Sequence, residues 1–293
     1  MNEIKKFLYT DILGWSVSRY DRFSNCKRQY FYDYYAKYDK ENPVEKIIFL
    51  KRLTSKALEV GNIVHDIIRD MLLRFQKSSK PINKEKFFKY TSNLTDNYCS
   101  NKIFFEHYYN GDLISVPEIY LKVKNILEKF LNSRRFLWIE KNAAAESSKW
   151  IIEPPGFGET RINNYKAFCK VDFLFPTGGK IYIMDWKTGK ADDIKHSKQL
   201  TGYSLWASYH FKKKASDIIP AVAYLCPDYR ERNIKIDDAS IIKFANTVES
   251  ETKDMYEYLI DIEKNIPKNK EEFFVTPNRF FCKYCNYKEI CNI

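Results

Sequence analysis

The sequence predicts an α/β fold in which helices flank a central mixed β-sheet. Two observations support it: long segments carry apolar residues at helical spacing, and short β-type runs lie between turn residues. Strands are predicted at 167–175, 180–186 and 221–226, and helices at 55–75, 194–210 and 238–264. The order strand, strand, helix, strand, helix implies a mixed sheet flanked by helices.

The N-terminal part of the chain predicts helices. In the aromatic-rich segment 15–38, Ser18 is a suitable N-cap, and Phe23 and Tyr30 are expected to point inward. The helix at 55–75 is the clearest amphipathic element. Residues 81–146 have helical patches, such as 119–138, but no motif, so they are interpreted as a helical insertion.

A β-hairpin is predicted in the second half of the chain. Pro154, Pro155 and Gly156 break regular structure, and the turn at 176–179 joins the strands 167–175 and 180–186. With 293 residues, 44% of them hydrophobic, the chain is able to bury a sizeable core. We expect one domain over 1–293, with the insertion at about 81–146 and a C-terminal cysteine segment at 276–293.

The chain is basic. Lys and Arg number 49 against 38 Asp and Glu, which gives a net charge of +11. This charge favours a polyanionic partner, although a basic surface without a ligand has the same composition. No signal peptide and no run of 18 apolar residues is present, so we expect a cytoplasmic protein without a membrane partner.

The seven cysteines indicate a metal site rather than a disulfide framework, because three of them stand singly in apolar or strand-like contexts. The other four are Cys26 and the C-terminal group Cys282, Cys285 and Cys291. Four thiolates hold either an iron-sulfur cluster or a tetrahedral zinc ion, and spacing alone leaves both open. Such a site would join the two ends of the chain.

Two carboxylates and a lysine lie on the predicted hairpin. Asp172 and Asp185 come close across an antiparallel pair, and period-2 alternation puts Lys187 on the same face as Asp185. Phosphodiester hydrolysis needs charge neutralisation and an activated water, which carboxylate-bound Mg²⁺ or Mn²⁺ supplies, while a lysine stabilises developing charge. A surface ion-pair patch is the alternative. Against it, Asp185 follows an apolar run, where an unpaired carboxylate is costly.

These residues resemble the core of the PD-(D/E)xK nuclease superfamily, in the branch with RecB-like, AddB-like and CRISPR-associated exonuclease domains. The resemblance rests on Asp172, on Asp185-Trp186-Lys187-Thr188-Gly189-Lys190, on Gln199-x3-Tyr203, on Gly61-x3-His65 and on the order of the four cysteines. Val171 stands where the family pattern has proline, which carries no chemistry. Residues 81–146 are not matched.

The resemblance implies a restriction-endonuclease-like core. It implies that Asp172, Asp185 and Lys187 are catalytic and that His65, Asp172 and Asp185 bind Mg²⁺ or Mn²⁺. It further implies that Gln199 and Tyr203 position DNA, and that Cys26, Cys282, Cys285 and Cys291 hold a [4Fe-4S] cluster, with zinc as the alternative.

The function implied is a metal-dependent DNA nuclease, namely an exonuclease or end-processing enzyme acting on single-stranded or frayed DNA. Two alternatives stay open: a CRISPR adaptation nuclease, and a DNA-binding iron-sulfur module that acts with a helicase partner. The chain has no helicase phosphate-binding loop of the Gly-x4-Gly-Lys-Ser/Thr type, so translocation would require a partner.

Overall fold

The computed structural model describes residues 4–78 and 80–291 and confirms the predicted fold class. Residues 292–293, the end of the predicted cysteine segment, lie outside the described residues. The helices are α1 Val17–Asn25, α2 Lys27–Tyr35, α3 Val44–Lys51, α4 Lys56–Lys77, α5 Lys84–Ser100, α6 Phe105–Asn110, α7 Val116–Leu131, α8 Arg134–Glu146, α9 Asp193–Phe211 and α10 Asp238–Tyr256. The strands are β1 Leu53–Thr54, β2 Ile103–Phe104, β3 Ile151–Ile152, β4 Glu159–Ile162, β5 Tyr165–Phe168, β6 Phe173–Thr177, β7 Lys180–Lys187, β8 Ile218–Tyr224, β9 Arg230–Asn233, β10 Leu259–Asp261 and β11 Ile266–Pro267. None of the helices within this described part is long and apolar enough to cross a membrane.

The chain divides into two compact units. The first contains Thr54–Gly158 and Cys169–Phe244, and the second contains Phe7–Leu53, Glu159–Phe168 and the chain from Ala245 onward. The segment 81–146, predicted to be helical, forms α5 to α8 inside the first unit. That 1–293 is one domain with an insertion stays a prediction.

The first unit is built on a five-stranded sheet of order β3-β6-β7-β8-β9. β7 and β8 are parallel and the other neighbouring pairs are antiparallel, so the sheet is mixed as predicted. The connection from β7 to β8 runs through α9, as a parallel pair requires. The sequence placed α9 and β8 correctly to within a few residues.

One face of this sheet packs against α4, α7 and α8. The apolar stripe of α4, including Ile63 and Ile67, forms one core cluster with Met184 and Trp186 of β7. Because side chains alternate along a strand, Ile183 and Asp185 point to the opposite side, and α9 packs against β7 and β8. This alternation directs the Asp185 side chain away from the core cluster that contains Met184 and Trp186.

The predicted strand at 167–175 is wrong in its first half. β5 ends at Phe168 and pairs with β4, and β6 begins only at Phe173. Residues 169–172 belong to neither strand, although the N–H of Cys169 still donates to the carbonyl of Gly158 at 3.1 Å, one step beyond the pair of Glu159 and Phe168. Asp172 therefore immediately precedes β6 instead of lying within a strand.

Gly158 makes the close approach of its backbone to Cys169 possible, and we expect its replacement to reduce the stability of the protein. Its φ is +64°, and a Cβ there would lie 2.2 Å from the Cys169 carbonyl oxygen. Gly158→Ala is expected to lower the free energy of unfolding by about 3 kcal/mol or more, because the backbone must shift as well as adopt a left-handed conformation. Gly111→Ala is the matched control, since φ is +73° and nothing lies within 4 Å, and it is expected to cost about 1 kcal/mol. Urea unfolding measures both; equal destabilisation would contradict the close approach.

The second unit corrects two other predictions. Ser16, not Ser18, caps α1, accepting from the N–H of Arg19 at 3.2 Å, and the helical segment breaks at the extended residue Cys26. The predicted helix at 238–264 ends at Tyr256, and β10 and β11 follow as a hairpin. Asn265 has a φ of +51° in that turn, a conformation that asparagine tolerates.

Candidate active site

The two predicted catalytic acids lie side by side in the first unit. Phe173 of β6 pairs with Met184 of β7, so Asp172, one residue before β6, lies beside Asp185 of β7. The Oδ2 atom of Asp172 accepts a hydrogen bond of 2.9 Å from the backbone N–H of Trp186. This bond holds the Asp172 carboxylate beside the end of β7.

Asp185 is a buried carboxylate that lacks hydrogen bonds. It is 1% exposed, and neither oxygen has a hydrogen-bond partner among the described residues. Burial, opposed by the ammonium of Lys187 and reinforced by the negative charge of Asp172, raises the pKa of Asp185 to about 6. A buried, unsatisfied carboxylate fits a bound cation, because a cation offsets the cost of desolvating the charge.

Lys187 provides a positive charge beside the Asp185 carboxylate. Its Nζ lies 2.6 Å from the Oδ2 atom of Asp185 in an ion pair, without the angular geometry of a hydrogen bond. Its backbone carbonyl accepts from the N–H of Leu225 at 2.8 Å, which fixes the end of β7. The side chain is 20% exposed, so the ammonium is accessible to a substrate while it neutralises the acid.

His65 completes the group from α4. Its Nδ1 lies 3.5 Å from the Oδ2 atom of Asp172. His65, Asp172 and Lys187 line a pocket of about 520 Å³. Gly61, one turn before His65, lines the same pocket, and a Cβ there would lie 3.0 Å from the Oγ1 atom of Thr188. The glycine thus makes room for the residue that follows Lys187.

Gln199 and Tyr203 form one pair on α9. The Gln199 amide donates a hydrogen bond to the Tyr203 hydroxyl, as their i, i+4 spacing allows. Burial, together with the charges of Asp185 and Asp172, raises the pKa of Tyr203 well above its usual value. Since Tyr203 is only 6% exposed, its position favours support of the acidic pair over direct contact with DNA.

Three charged residues of this pocket were not among the site residues predicted from the sequence. Asp66 follows His65, and Lys170 precedes Asp172 by two residues. Glu153 lies 2.7 Å from the Nζ atom of Lys170, and its N–H donates to the Asp172 carbonyl at 3.2 Å. The sequence signal for Asp66 and Lys170 is their nearness along the chain to His65 and Asp172, and Glu153 has no such signal.

The acids and His65 are neighbours rather than a formed ligand set. Within residues 4–78 and 80–291, no three His, Cys, Asp or Glu side chains are arranged to hold a metal ion. The reason is visible at each carboxylate: Asp185 is paired with Lys187, and Asp172 with the Trp186 N–H and His65. Ligation would require these side chains to turn toward a common centre.

The four cysteines of the predicted cluster come together in the second unit. Burial, together with the nearby Cys291, Cys26 and Cys282, raises the pKa of Cys285 to about 12. Cys26 caps α2, its sulfur accepting from the N–H of Gln29 at 3.5 Å. The break between α1 and α2 thus directs this thiol toward the C-terminal three. In the described part of the chain they form a neighbourhood of four free thiols, not a closed ligand set.

A comparison with protein families decides the identity of the fold. The model of the PD-(D/E)XK nuclease superfamily matches residues 14–292. The chain belongs to the PD-(D/E)XK nuclease superfamily.

Individual relatives are distant. The RecBCD enzyme subunit RecB of Borreliella burgdorferi is 24% identical over 185 residues, which are 58% of this chain and 16% of that protein. The chain therefore corresponds to a small part of RecB. A solved structure titled SSO0001 is 20% identical, with 64% of this chain and 77% of that chain covered and a TM-score of 0.29. Membership in the superfamily makes this PD-(D/E)XK chain a nuclease, and such nucleases typically use divalent metals.

Proposed function

We propose that the chain is a divalent-metal-dependent deoxyribonuclease that trims single-stranded or frayed DNA ends. The observation that supports this most is Asp185: a buried carboxylate that has the Lys187 ammonium 2.6 Å away but no hydrogen bond within the described residues, next to a second acid and a histidine. A structural ion pair alone does not explain this burial, because the free-energy cost of desolvating the carboxylate outweighs the attraction to one lysine.

This geometry supports the following roles. Asp172, Asp185 and His65 would hold Mg²⁺ or Mn²⁺, which supplies charge neutralisation and an activated water. Lys187 exchanges its contact with Asp185 for a phosphoryl oxygen and stabilises the charge that develops there. Tyr203 and Gln199 keep the acidic pair in place from α9.

The substrate and partners are proposed on broader grounds. A net charge of +11 favours a nucleic acid, and the similarity to RecB, a subunit of the RecBCD enzyme, supports action with a helicase partner. A cytoplasmic location agrees with seven free thiols. A role in CRISPR adaptation is the other pathway compatible with the resemblance.

We further propose that Cys26, Cys282, Cys285 and Cys291 hold a [4Fe-4S] cluster. Four neighbouring thiols are a donor set suited to iron-sulfur or zinc, because both favour thiolate ligands. The cluster would be structural, since all four thiols serve as ligands.

The nuclease assignment is tested with anaerobically purified protein and DNA labelled at either end. We expect cleavage that requires Mn²⁺ or Mg²⁺, prefers single strands, and releases short products from one end. Asp185→Ala and Lys187→Ala protein should be folded and inactive. Equal cleavage by the wild type and both variants would refute the site, and internal cuts without end preference would refute the exonuclease assignment.

A further inference from the structure

The first unit contains a second cavity that is larger than the pocket of the acids. Its volume is about 830 Å³ against about 520 Å³, and it lies where the end of α7 and the start of α8 meet β9. Among the described residues that line it, four are cationic and Glu231 is the one carboxylate. The cations are Lys129, Arg134, Arg135 and Arg230. The cavity is therefore strongly basic.

Two of these cations are already paired. Arg135 makes two hydrogen bonds to Glu231, at 2.9 and 2.8 Å, and Lys129 lies 3.0 Å from Asp228. Arg134 is exposed, and its side chain has no hydrogen bond or ion pair in the described part of the chain. Arg230 has no carboxylate partner there, and its guanidinium lies 4.9 Å from the centre of the Tyr224 ring. Two guanidinium groups thus remain available to an anion: Arg134 on the side of α8, and Arg230 at the rim of the cavity, where it points to the face of the edge strand β9 opposite Glu231.

Two aromatic side chains, both partly exposed, line the cavity beside these arginines. Trp138 packs against Phe175 with 4.6 Å between ring centres, and the Tyr229 hydroxyl donates to Glu231 at 2.5 Å. Both rings are thus fixed in place. Fixed aromatic rings beside unpaired guanidinium groups suit a strand with unpaired bases, since the bases stack and the phosphates pair.

The cavity lies close to the catalytic lysine in the sheet. Lys187 pairs with Tyr224, and Tyr224 pairs with Arg230, so the three residues form one row across β7, β8 and β9. Two strand spacings put the backbones of Lys187 and Arg230 about 10 Å apart. A single strand at the acids is able to reach Arg230 within a few nucleotides.

We propose that this basic aromatic cavity binds the part of a DNA single strand that extends beyond the scissile phosphate. The proposal rests on the proposed function in that it assigns a path to the same substrate. Arg134 and Arg230 would contact phosphates, and Trp138 and Tyr229 would stack with bases. Binding here would increase affinity for strands long enough to reach the cavity.

The test compares two double variants of equal charge change. Arg134→Glu with Arg230→Glu alters the cavity, whereas Lys122→Glu with Lys141→Glu alters exposed lysines that do not line it. Fluorescence anisotropy of labelled oligodeoxythymidine, without added metal, gives the affinity of a short strand and a long one across a salt series.

We expect the affinity of the cavity variant for the long strand to fall roughly tenfold, and its salt slope to decrease by about 0.7 for each phosphate that the variant no longer neutralises. The lysine variant should be weakened much less, and in cleavage the effect of the cavity variant should appear in KM. An equal loss of affinity for the long strand in both variants would overturn the proposal. Complete displacement of the strand by an acidic polyglutamate peptide at equal charge concentration would also overturn it, because the cavity would then bind charge and not bases. A protein that binds through the cavity but never cleaves would refute only the proposed function.

Discussion

Asp185→Asn is expected to abolish cleavage and at the same time to stabilise the metal-free protein. The carboxylate is 1% exposed and lacks hydrogen bonds within the described residues, and its pKa is raised from 3.8 to about 6, chiefly by burial. Asparagine has nearly the same shape but no charge to desolvate. Activity should fall by about 10³-fold or more, because a neutral amide holds a divalent cation poorly.

The pH dependence gives this prediction a definite sign. Between pH 4 and pH 6 the folded protein holds a proton on Asp185 that the unfolded chain has released, so stability falls as pH rises through this window. Above pH 6 the ionised carboxylate costs about 3 kcal/mol. Asp185→Asn should therefore remove this decline and be more stable than the wild type at neutral pH.

Metal binding provides the complementary measurement. Mn²⁺ at a hundredfold excess over its Kd should stabilise the wild type by about 2.7 kcal/mol and Asp185→Asn much less. Asp96→Asn, at an exposed position of α5, is the control and should retain activity, the metal response and the pH profile. If metal-free Asp185→Asn protein were less stable than the wild type above pH 6, Asp185 would be a structural partner of Lys187 rather than an open ligand.

The acidic pair and its lysine were predictable because local rules determine them. Period-2 alternation puts Asp185 and Lys187 on one face, and the turn at Gly178 and Gly179 returns β7 alongside β6. The N-cap was not predictable in this way. Ser16 and Ser18 are both capping residues, and only the final backbone geometry selects the bond from Arg19.

The basic aromatic cavity and the Glu153–Lys170 pair could not be predicted from the sequence, for a related reason. Arg134 and Arg230 are on α8 and at the start of β9, elements far apart in sequence, and tertiary packing alone brings them together. The end of α10 shows the same limit. Residues after Tyr256 have helical composition, but the left-handed Asn265 and the pairing of β10 with β11 prevail over propensity.

Cys285→Ser is expected to lower the melting temperature and to remove the bound iron. A cluster held by the four thiols would join Cys26 to residues more than 250 positions later. A cross-link that closes so long a loop removes about 5 kcal/mol of chain entropy from the unfolded state. Cys226→Ser is the matched control, because this thiol lies in the first unit and outside the group of four.

The variant should nevertheless stay folded, because the second unit holds its C-terminal segment by other contacts. The Tyr287 hydroxyl donates to Asp33 at 2.6 Å, the Asn286 amide donates to the carbonyl of Leu53 at 2.8 Å, and Arg28 donates to the carbonyl of Phe273 at 3.0 Å. These bonds keep the thiols near one another before a metal arrives. Because burial raises the pKa of Cys285 to about 12 and of Cys291 to about 11, loading must release protons and should be stronger at higher pH.

Iron, sulfide and zinc analysis with thermal unfolding separates the outcomes. Coloured, iron-loaded wild type with a colourless, less stable Cys285→Ser variant would support the cluster. Colourless, zinc-loaded wild type with the same decrease in stability would assign the site to zinc and leave the cross-link intact. An unchanged melting curve would show that the hydrogen bonds of Tyr287 and Asn286 alone hold the segment, and the four thiols would then have no structural role.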